Sequence, residues 1–305
     1  MPINESADAG PPFDSLHADV ILRSSDNVDF RTFKLLLSLA SPVFEDMFNM
    51  TPLDCETSVK DGALVVQMQS ESSRTLEMLL GFCHPNFMPT LESLDVINDV
   101  LAAAMKFEMA AALKWARVNL VGPRFTEKQS VRAFAIACKY ELEPEEQILA
   151  KETLRLLDLF YKAELEFIPY MIGQRLQAYR DDCCKAARKL TTYFEWVELD
   201  MYVSWNRCDT CASAGRIFFK SRDEWWPTRW WLDYMHEAGK ELKYSPVPDT
   251  VLRPRLVEWA VKRTSKCNFC SPLAGGDIQK FNHVFSEQIE YVISQVCKLK
   301  VSLEY

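Results

Sequence analysis

The chain has 305 residues, which is enough for about two domains. Hydrophobic residues make up 48% of the sequence, so sizeable cores can form. The formal net charge of -8 argues against a general nucleic-acid binder and against binding to acidic membranes. The apolar runs stay well short of the roughly 18–20 residues that a membrane helix needs, so we expect no membrane segment.

Residues 1–12 are polar and end in Gly10-Pro11-Pro12, which favours a disordered lead. This stretch has neither the basic nor the apolar region of a signal peptide, so we expect none. With 10 cysteines and no export signal, the thiols are expected to be reduced. The protein is therefore expected in the cytoplasm, the nucleus or both.

The most informative pattern follows this lead. Apolar Val20 and Leu22 alternate with Ile21 and Arg23, polar residues 24–27 supply a turn, and residues 28–30 resume the two-residue period, which predicts a β-hairpin. Over residues 33–40 the apolar positions recur at helical spacing instead. Pro42 then opens a second helix at its first position. The sequence therefore predicts strand, turn, strand, helix and helix in that order.

This order resembles the start of a BTB/POZ domain, and in particular the BTB proteins abundant in fungi. The family opens its first strand with an Asp-Val pair, here Asp19-Val20. Its first helices carry Lys or Arg, Leu, Ser and Phe at spacings that residues 34–44 match. The family's His falls on Phe33, where we expect the apolar ring to fill a core site.

The resemblance continues along the chain. Residues 63–68 look like the family's third strand, residues 72–82 like its next helix, and residues 94–120 like its last helix pair. The resemblance implies a BTB/POZ domain over residues 13–120, with a small sheet and surrounding helices.

Gly122-Pro123 ends that unit, and the following residues are largely helical. Residues 121–199 resemble the helical extension, often called BACK, that follows many BTB domains. Within them, one apolar stripe predicts a helix over residues 174–197. Residues 200–305 are rich in Trp and Cys and form a predicted third, α-rich unit. The predicted fold class is α+β: an N-terminal BTB/POZ domain followed by mostly α-helical regions.

Two Cys-x-x-Cys pairs in this last unit are candidate metal ligands: Cys208 with Cys211, and Cys267 with Cys270. Two residues between thiolates allow a tight turn to aim both sulfurs at one tetrahedral ion, so the two pairs can form a structural zinc site. The segment 212–266 between them is longer than the usual separation of about 15–20 residues. Reduced thiols in a core and a redox disulfide therefore remain alternatives, and zinc is a possible cofactor.

Other candidates have simpler interpretations. His236 and His283 lie off the apolar stripes of their predicted helices, so we expect surface histidines. The aromatic cluster at residues 225–231 is expected to form a core, although Trp and Arg side chains can also stack on single-stranded nucleic acid. The sequence contains no serine nucleophile elbow, phosphate-binding Gly-rich loop or His-Glu-x-x-His motif, so we expect no enzyme.

By resemblance, Asp19 and Lys34 pair in a charged pocket near a dimer interface. The family resemblance also implies a homodimeric protein-interaction scaffold or adaptor, possibly a substrate adaptor of a cullin-3 ubiquitin ligase. Members that bind cullin-3 often carry a hydrophobic-x-Glu motif, where this chain has Met50-Thr51-Pro52, so Pro52 argues against that partner. The alternative is a zinc-containing, nucleic-acid-associated transcriptional regulator, although the acidic chain makes a nucleic-acid partner unlikely.

Overall fold

The computed structural model describes residues 6–50, 58–84, 90, 93–156, 169–197, 203–212, 217–218 and 224–301. The chain divides into two compact units, Met1–Gln129 with Ile136–Glu145, and Ser130–Ala135 with Glu146–Tyr305. Among the described helices, none combines the length and apolar character that crossing a bilayer requires.

The first unit combines a small sheet with helices. Its elements are β1 (Ala7–Asp8), β2 (Val20–Arg23), β3 (Val28–Thr32), α1 (Lys34–Ala40), α2 (Pro42–Asn49), β4 (Val59–Lys60), β5 (Ala63–Gln67), α3 (Ser73–Gly81), α4 (Leu94–Lys106), α5 (Ala110–Leu120) and the start of α6 (Pro123–Lys139). The predicted hairpin, paired helices and later helix pair are therefore confirmed.

The sheet has the strand order β1-β3-β2-β5-β4. Its central strand, β2, is antiparallel to β3 and parallel to β5. Val20, Ile21 and Leu22 are all buried, so β2 is covered on both faces.

A buried ionic network orders part of the N-terminal segment that the sequence predicts to be disordered. Ala7–Asp8 pairs in parallel with β3, and fully buried Asp29 accepts hydrogen bonds from Arg23 Nε (2.6 Å), Lys60 Nζ (2.8 Å) and Ser6 Oγ (2.8 Å). Burial alone would raise the pKa of Asp29, but the hydrogen bonds from Arg23 and Lys60 outweigh it and hold that pKa below its ordinary value. The predicted disordered lead is therefore wrong for Ala7 and Asp8, since this network anchors them.

Ser41 fixes the corner between α1 and α2. Its Oγ accepts from the Phe44 backbone N–H (3.1 Å) and donates to the Phe107 carbonyl (2.5 Å). Phe44 in turn stacks on Phe107 with ring centroids 4.8 Å apart. Phe33, in contrast, has extended backbone angles as the N-cap of α1 and is exposed, so the prediction that its ring fills a core site is wrong.

The second unit is mostly helical. Its elements are α7 (Glu143–Thr153, mainly in this unit), α8 (Tyr170–Lys189), two 3-10 turns (Ser204–Asn206 and Asp209–Cys211), β6 (Ile217–Phe218), β7 (Glu224–Trp225), α9 (Arg229–Leu242), α10 (Pro248–Leu252), α11 (Pro254–Thr264) and α12 (Ala274–Val301). Within the described residues, α8 stops at Lys189, earlier than the predicted helix over 174–197, and turns follow it.

The core of this unit forms around α12, which packs against α8, α10 and α11. On α9, the predicted apolar stripe is buried, and Trp231 stacks on Trp205 with centroids 4.6 Å apart. Phe281 of α12 meets both tryptophan rings edge-on. Helix α8 belongs to the predicted segment 121–199, yet it packs against α9 and α12 of the predicted segment 200–305. These three helices therefore lie in one compact unit.

Candidate functional site

The two Cys-x-x-Cys pairs come together in the second unit. Cys208 precedes the 3-10 turn Asp209–Cys211 and Cys211 ends it, whereas Cys267 and Cys270 lie in the turn between α11 and α12. The four Sγ atoms all lie within 4.8 Å of one another. The Sγ atoms of Cys208 and Cys267 are 3.5 Å apart. Zinc–sulfur bonds of about 2.3 Å in a tetrahedron place sulfurs about 3.8 Å apart, so this donor set fits a zinc ion in number, type and spacing.

Burial and backbone donors shape the electrostatics of the cluster. Cys270 and Cys208 are buried, whereas Cys211 and Cys267 are partly exposed. The Cys270 backbone N–H donates to Cys267 Sγ (3.4 Å), and this bond is the main reason that the pKa of Cys267 falls to about 6. Burial raises the pKa of Cys211 to about 11. A thiolate at Cys267 therefore forms most readily.

The turn after Cys267 also connects the cluster to α12. The N–H groups of Leu273 and Ala274 donate to the Cys270 carbonyl at the start of that helix. Asp277, in the first turn of α12, accepts a hydrogen bond from the Ser204 backbone N–H (2.6 Å). An ion bound by all four sulfurs would hold residues 204–211 against the beginning of α12.

Neither His236 nor His283 belongs to the four-cysteine cluster, and the sequence predicted both as surface residues. His236 is exposed on α9, and exposed His283 lies 3.6 Å from Glu287 on α12. Within the described part of the chain, the four-cysteine cluster is the group of side chains whose spacing suits a metal ion. Four thiolates complete a tetrahedral coordination shell, so this arrangement suits a structural ion and leaves no position for a substrate.

The start of α9 lies near the chain segment that carries Cys211. Thr228, just before α9, forms a β-bridge with Ala212, the neighbour of Cys211. Trp230 follows in the first turn of α9 and is buried. The cluster of aromatic residues gave no signal that separates this tryptophan from Trp231 beside it.

A second feature lies on α1 of the first unit. Leu35 and Leu39 are 68% and 77% exposed, whereas Leu37 between them is fully buried. Residues four apart lie on one face of a helix, so the two exposed leucines form a continuous apolar surface. We call Leu35 and Leu39 the α1 face.

The charged residues predicted to pair lie at the start of the same helix. Asp19 Oδ1 accepts from the Lys34 backbone N–H (2.8 Å), and the Lys34 ammonium lies 5.8 Å from the centre of the Phe48 ring. The described residues thus place Asp19 as a cap on α1, and it forms no ion pair with the Lys34 side chain. A charged pocket of Asp19 and Lys34 at a dimer interface remains a prediction.

Comparison with known proteins identifies the N-terminal region. The family model of the BTB/POZ domain matches residues 12–121. No curated protein matches the chain. Residues 12–121 are therefore a BTB/POZ domain, with limits close to the predicted 13–120, and this domain mediates interactions between proteins.

Proposed function

We propose that this chain is a non-enzymatic protein-interaction scaffold or adaptor that dimerises through the α1 face of its BTB/POZ domain. The observation that carries this proposal is the exposure of Leu35 (68%) and Leu39 (77%) on one side of a helix whose Leu37 is fully buried. The family resemblance supports it, because BTB domains typically dimerise and connect a partner to a larger assembly.

Burial of the α1 face supplies a physical driving force for association. Fully burying a leucine side chain contributes about 1.5–3 kcal/mol. A two-fold interface uses the same patch on both copies, so Leu35 and Leu39 each contribute twice. Asp19 and Lys34 lie at the start of α1, and they would line the edge of this interface and help to fix its register.

Paired substitutions test the interface. We expect Leu35→Glu with Leu39→Glu to give a monomer, because two carboxylates on each copy would face each other across a buried surface. The matched control is Val118→Glu, since Val118 is 63% exposed on α5 of the same domain. Sedimentation equilibrium should show a dimer for the wild type and the control. An unchanged dimer in the double variant would contradict the proposed interface.

We also propose that Cys208, Cys211, Cys267 and Cys270 bind a structural zinc ion. The proximity of the four sulfurs and the backbone hydrogen bond to Cys267 support this proposal. When bound, the ion would act as a cross-link between distant segments, with no open position for catalysis. Elemental analysis of purified protein should give about one zinc per chain. Protein purified under metal-replete conditions without zinc would favour the alternative of reduced thiols in a core.

The family resemblance and the composition support further proposals. A cullin-3 adaptor is one form of the proposed scaffold; Met50 is exposed, while Thr51 and Pro52 lie outside the described residues. From the same resemblance we propose that the BTB domain is of the fungal type and that residues 121–199 form a BACK-like extension. We propose a cytoplasmic or nuclear location because the cysteines are suited to a reducing compartment. The net charge of -8 does not favour the alternative of a nucleic-acid-associated regulator.

A further inference from the structure

We propose that the corner between α11 and α12 binds an acidic peptide segment of a partner protein, anchored by apolar side chains of that segment. We call Lys262, Lys266, Phe269 and Leu273 the α11–α12 corner; they lie in the last turn of α11 and in the turns that lead into α12. The inference rests on the adaptor role proposed above, because an adaptor needs a partner surface besides the one that joins its copies. It uses neither the α1 face nor a bound metal ion.

The apolar part of the corner is formed by Phe269 and Leu273, which are 47% and 46% exposed. The backbone around them winds in helical turns, since the N–H groups of Ser271 and Ala274 each donate to the carbonyl four residues earlier (2.9 Å each). Residues four apart on such a backbone are neighbours on one side. The two apolar side chains therefore form one exposed surface, and such a surface with a polar rim is typical of an interaction site.

The same part of the chain is positively charged. Residues 259–276 contain three basic side chains and no acidic one, whereas the whole chain has a net charge of -8. Arg263 is paired with Asp233 (3.2 Å). Lys262 and Lys266 are exposed, and within the part of the chain that the structure describes neither belongs to an ion pair. The corner therefore presents two lysine ammonium groups beside two apolar side chains.

Charge and shape together indicate the ligand. The lysines attract carboxylates and would steer an acidic segment toward the corner, while Phe269 and Leu273 would bury its apolar side chains. Single-stranded nucleic acid fits this surface less well, because Leu273 has no ring face on which a base can stack. The net charge of -8 also repels a polyanion. An acidic peptide with apolar anchors is therefore the partner that the corner favours.

The corner is held in shape from its inner side. Cys270 is buried, and its carbonyl accepts from the Leu273 N–H (3.1 Å). The Cys267 N–H donates to the Thr264 carbonyl (2.9 Å), which connects these turns to the end of α11. Helices α11 and α12 also pack against each other. A surface that already has its bound shape loses less conformational entropy when it binds.

Two paired variants separate the apolar contribution from the charged one. The apolar variant combines Phe269→Ser with Leu273→Ser, and the charge variant combines Lys262→Glu with Lys266→Glu. Circular dichroism and thermal unfolding establish that each full-length variant is folded. If the apolar variant does not fold, Phe269→Ala replaces it.

The matched control is Lys280→Glu with Tyr291→Ser. Both residues are exposed farther along α12 of the same unit, so this control changes one charge and one apolar side chain outside the corner.

The test selects peptides from a random library displayed on phage, with the full-length wild type as the target. We expect the selected peptides to be rich in Asp and Glu and to carry apolar residues. Each peptide is then synthesised with a fluorescent label and titrated by fluorescence polarisation. The apolar variant should bind at least about 10-fold more weakly than the wild type. The charge variant should also bind more weakly and lose most of the salt dependence of binding, whereas the control should bind as the wild type does.

A selection that yields no acidic peptide bound by the wild type would overturn the inference. Peptides that the apolar and charge variants bind as tightly as the wild type would also overturn it. If the wild type instead binds only random single-stranded RNA, and the charge variant does not, the corner belongs to nucleic acid and the inference is wrong. Light scattering of the same samples reports on dimerisation through the α1 face, so failure of that interface and failure of this corner are distinguished.

Discussion

Removing the proposed zinc ion from the four-cysteine site should destabilise the second unit by several kcal/mol. Cys208 and Cys267 are 59 residues apart in sequence, and a bound ion would close this loop as a cross-link does. The chain-entropy model for a closed loop of that length gives about 4 kcal/mol. For a unit of roughly 150–250 residues, each kcal/mol shifts the melting temperature by about 2–4 °C. We therefore expect the melting temperature of this unit to fall by about 10 °C.

The assay is thermal unfolding by calorimetry with and without a strong zinc chelator. Cys267→Ser should reproduce the chelator effect and no longer respond to chelation. The matched control is Cys184→Ser, because Cys184 is a half-buried thiol of the same unit that lies on α8 and donates to the Lys243 carbonyl (3.3 Å). This control should keep the full response to chelation. A wild-type melting temperature that chelation leaves unchanged would refute the reasoning and identify the four thiols as core residues.

Two further predictions concern the first unit. Ser41→Ala should lower its free energy of unfolding by about 1–3 kcal/mol in urea titrations, because it removes both the cap of α2 and the hydrogen bond to Phe107; a loss below about 0.5 kcal/mol would contradict this role. Hydrogen bonds from Ser24 and then Ser73 lower the pKa of Asp26 from 3.8 to about 2. Since the folded-state pKa is the lower one, Asp26 stabilises the fold above its unfolded pKa, and this contribution is lost as pH falls from about 4 to 2. Asp26 accepts hydrogen bonds from the backbone N–H and the hydroxyl of Ser73 at the start of α3 (2.7 Å each). Asp26→Asn should therefore flatten the pH dependence of unfolding in that window, and an unchanged slope would contradict the stabilising role of these hydrogen bonds.

The sequence predicts most of the N-terminal domain because its signals are local. The switch from a two-residue period over 20–30 to helical spacing after Phe33 defines the hairpin and the first helix. Pro42 at the start of α2 marks the second helix in the same way.

Features that depend on distant partners were not predictable. Ala7 and Asp8 look like part of a disordered lead, but buried Asp29 and Lys60 of another strand hold them in the sheet. Asp19 was predicted to pair with the Lys34 side chain, yet it accepts from the backbone N–H at the start of α1. Neither contact leaves a local pattern in the sequence.

The metal-site candidate was predictable only in part. The Cys-x-x-Cys spacing identifies each pair, because two sulfurs of one turn can face the same ion. Whether the two pairs meet depends on how α9, α11 and α12 pack. The sequence does not show this packing, because the long segment 212–266 separates the pairs.

The most direct test of the central proposal is the solution mass of the wild-type chain, measured by light scattering from about one to several tens of micromolar. A scaffold that dimerises through the α1 face should have twice the chain mass of 35.2 kDa over this range. A mass of 35.2 kDa at every concentration would contradict the proposal that the BTB/POZ domain joins two copies of this chain.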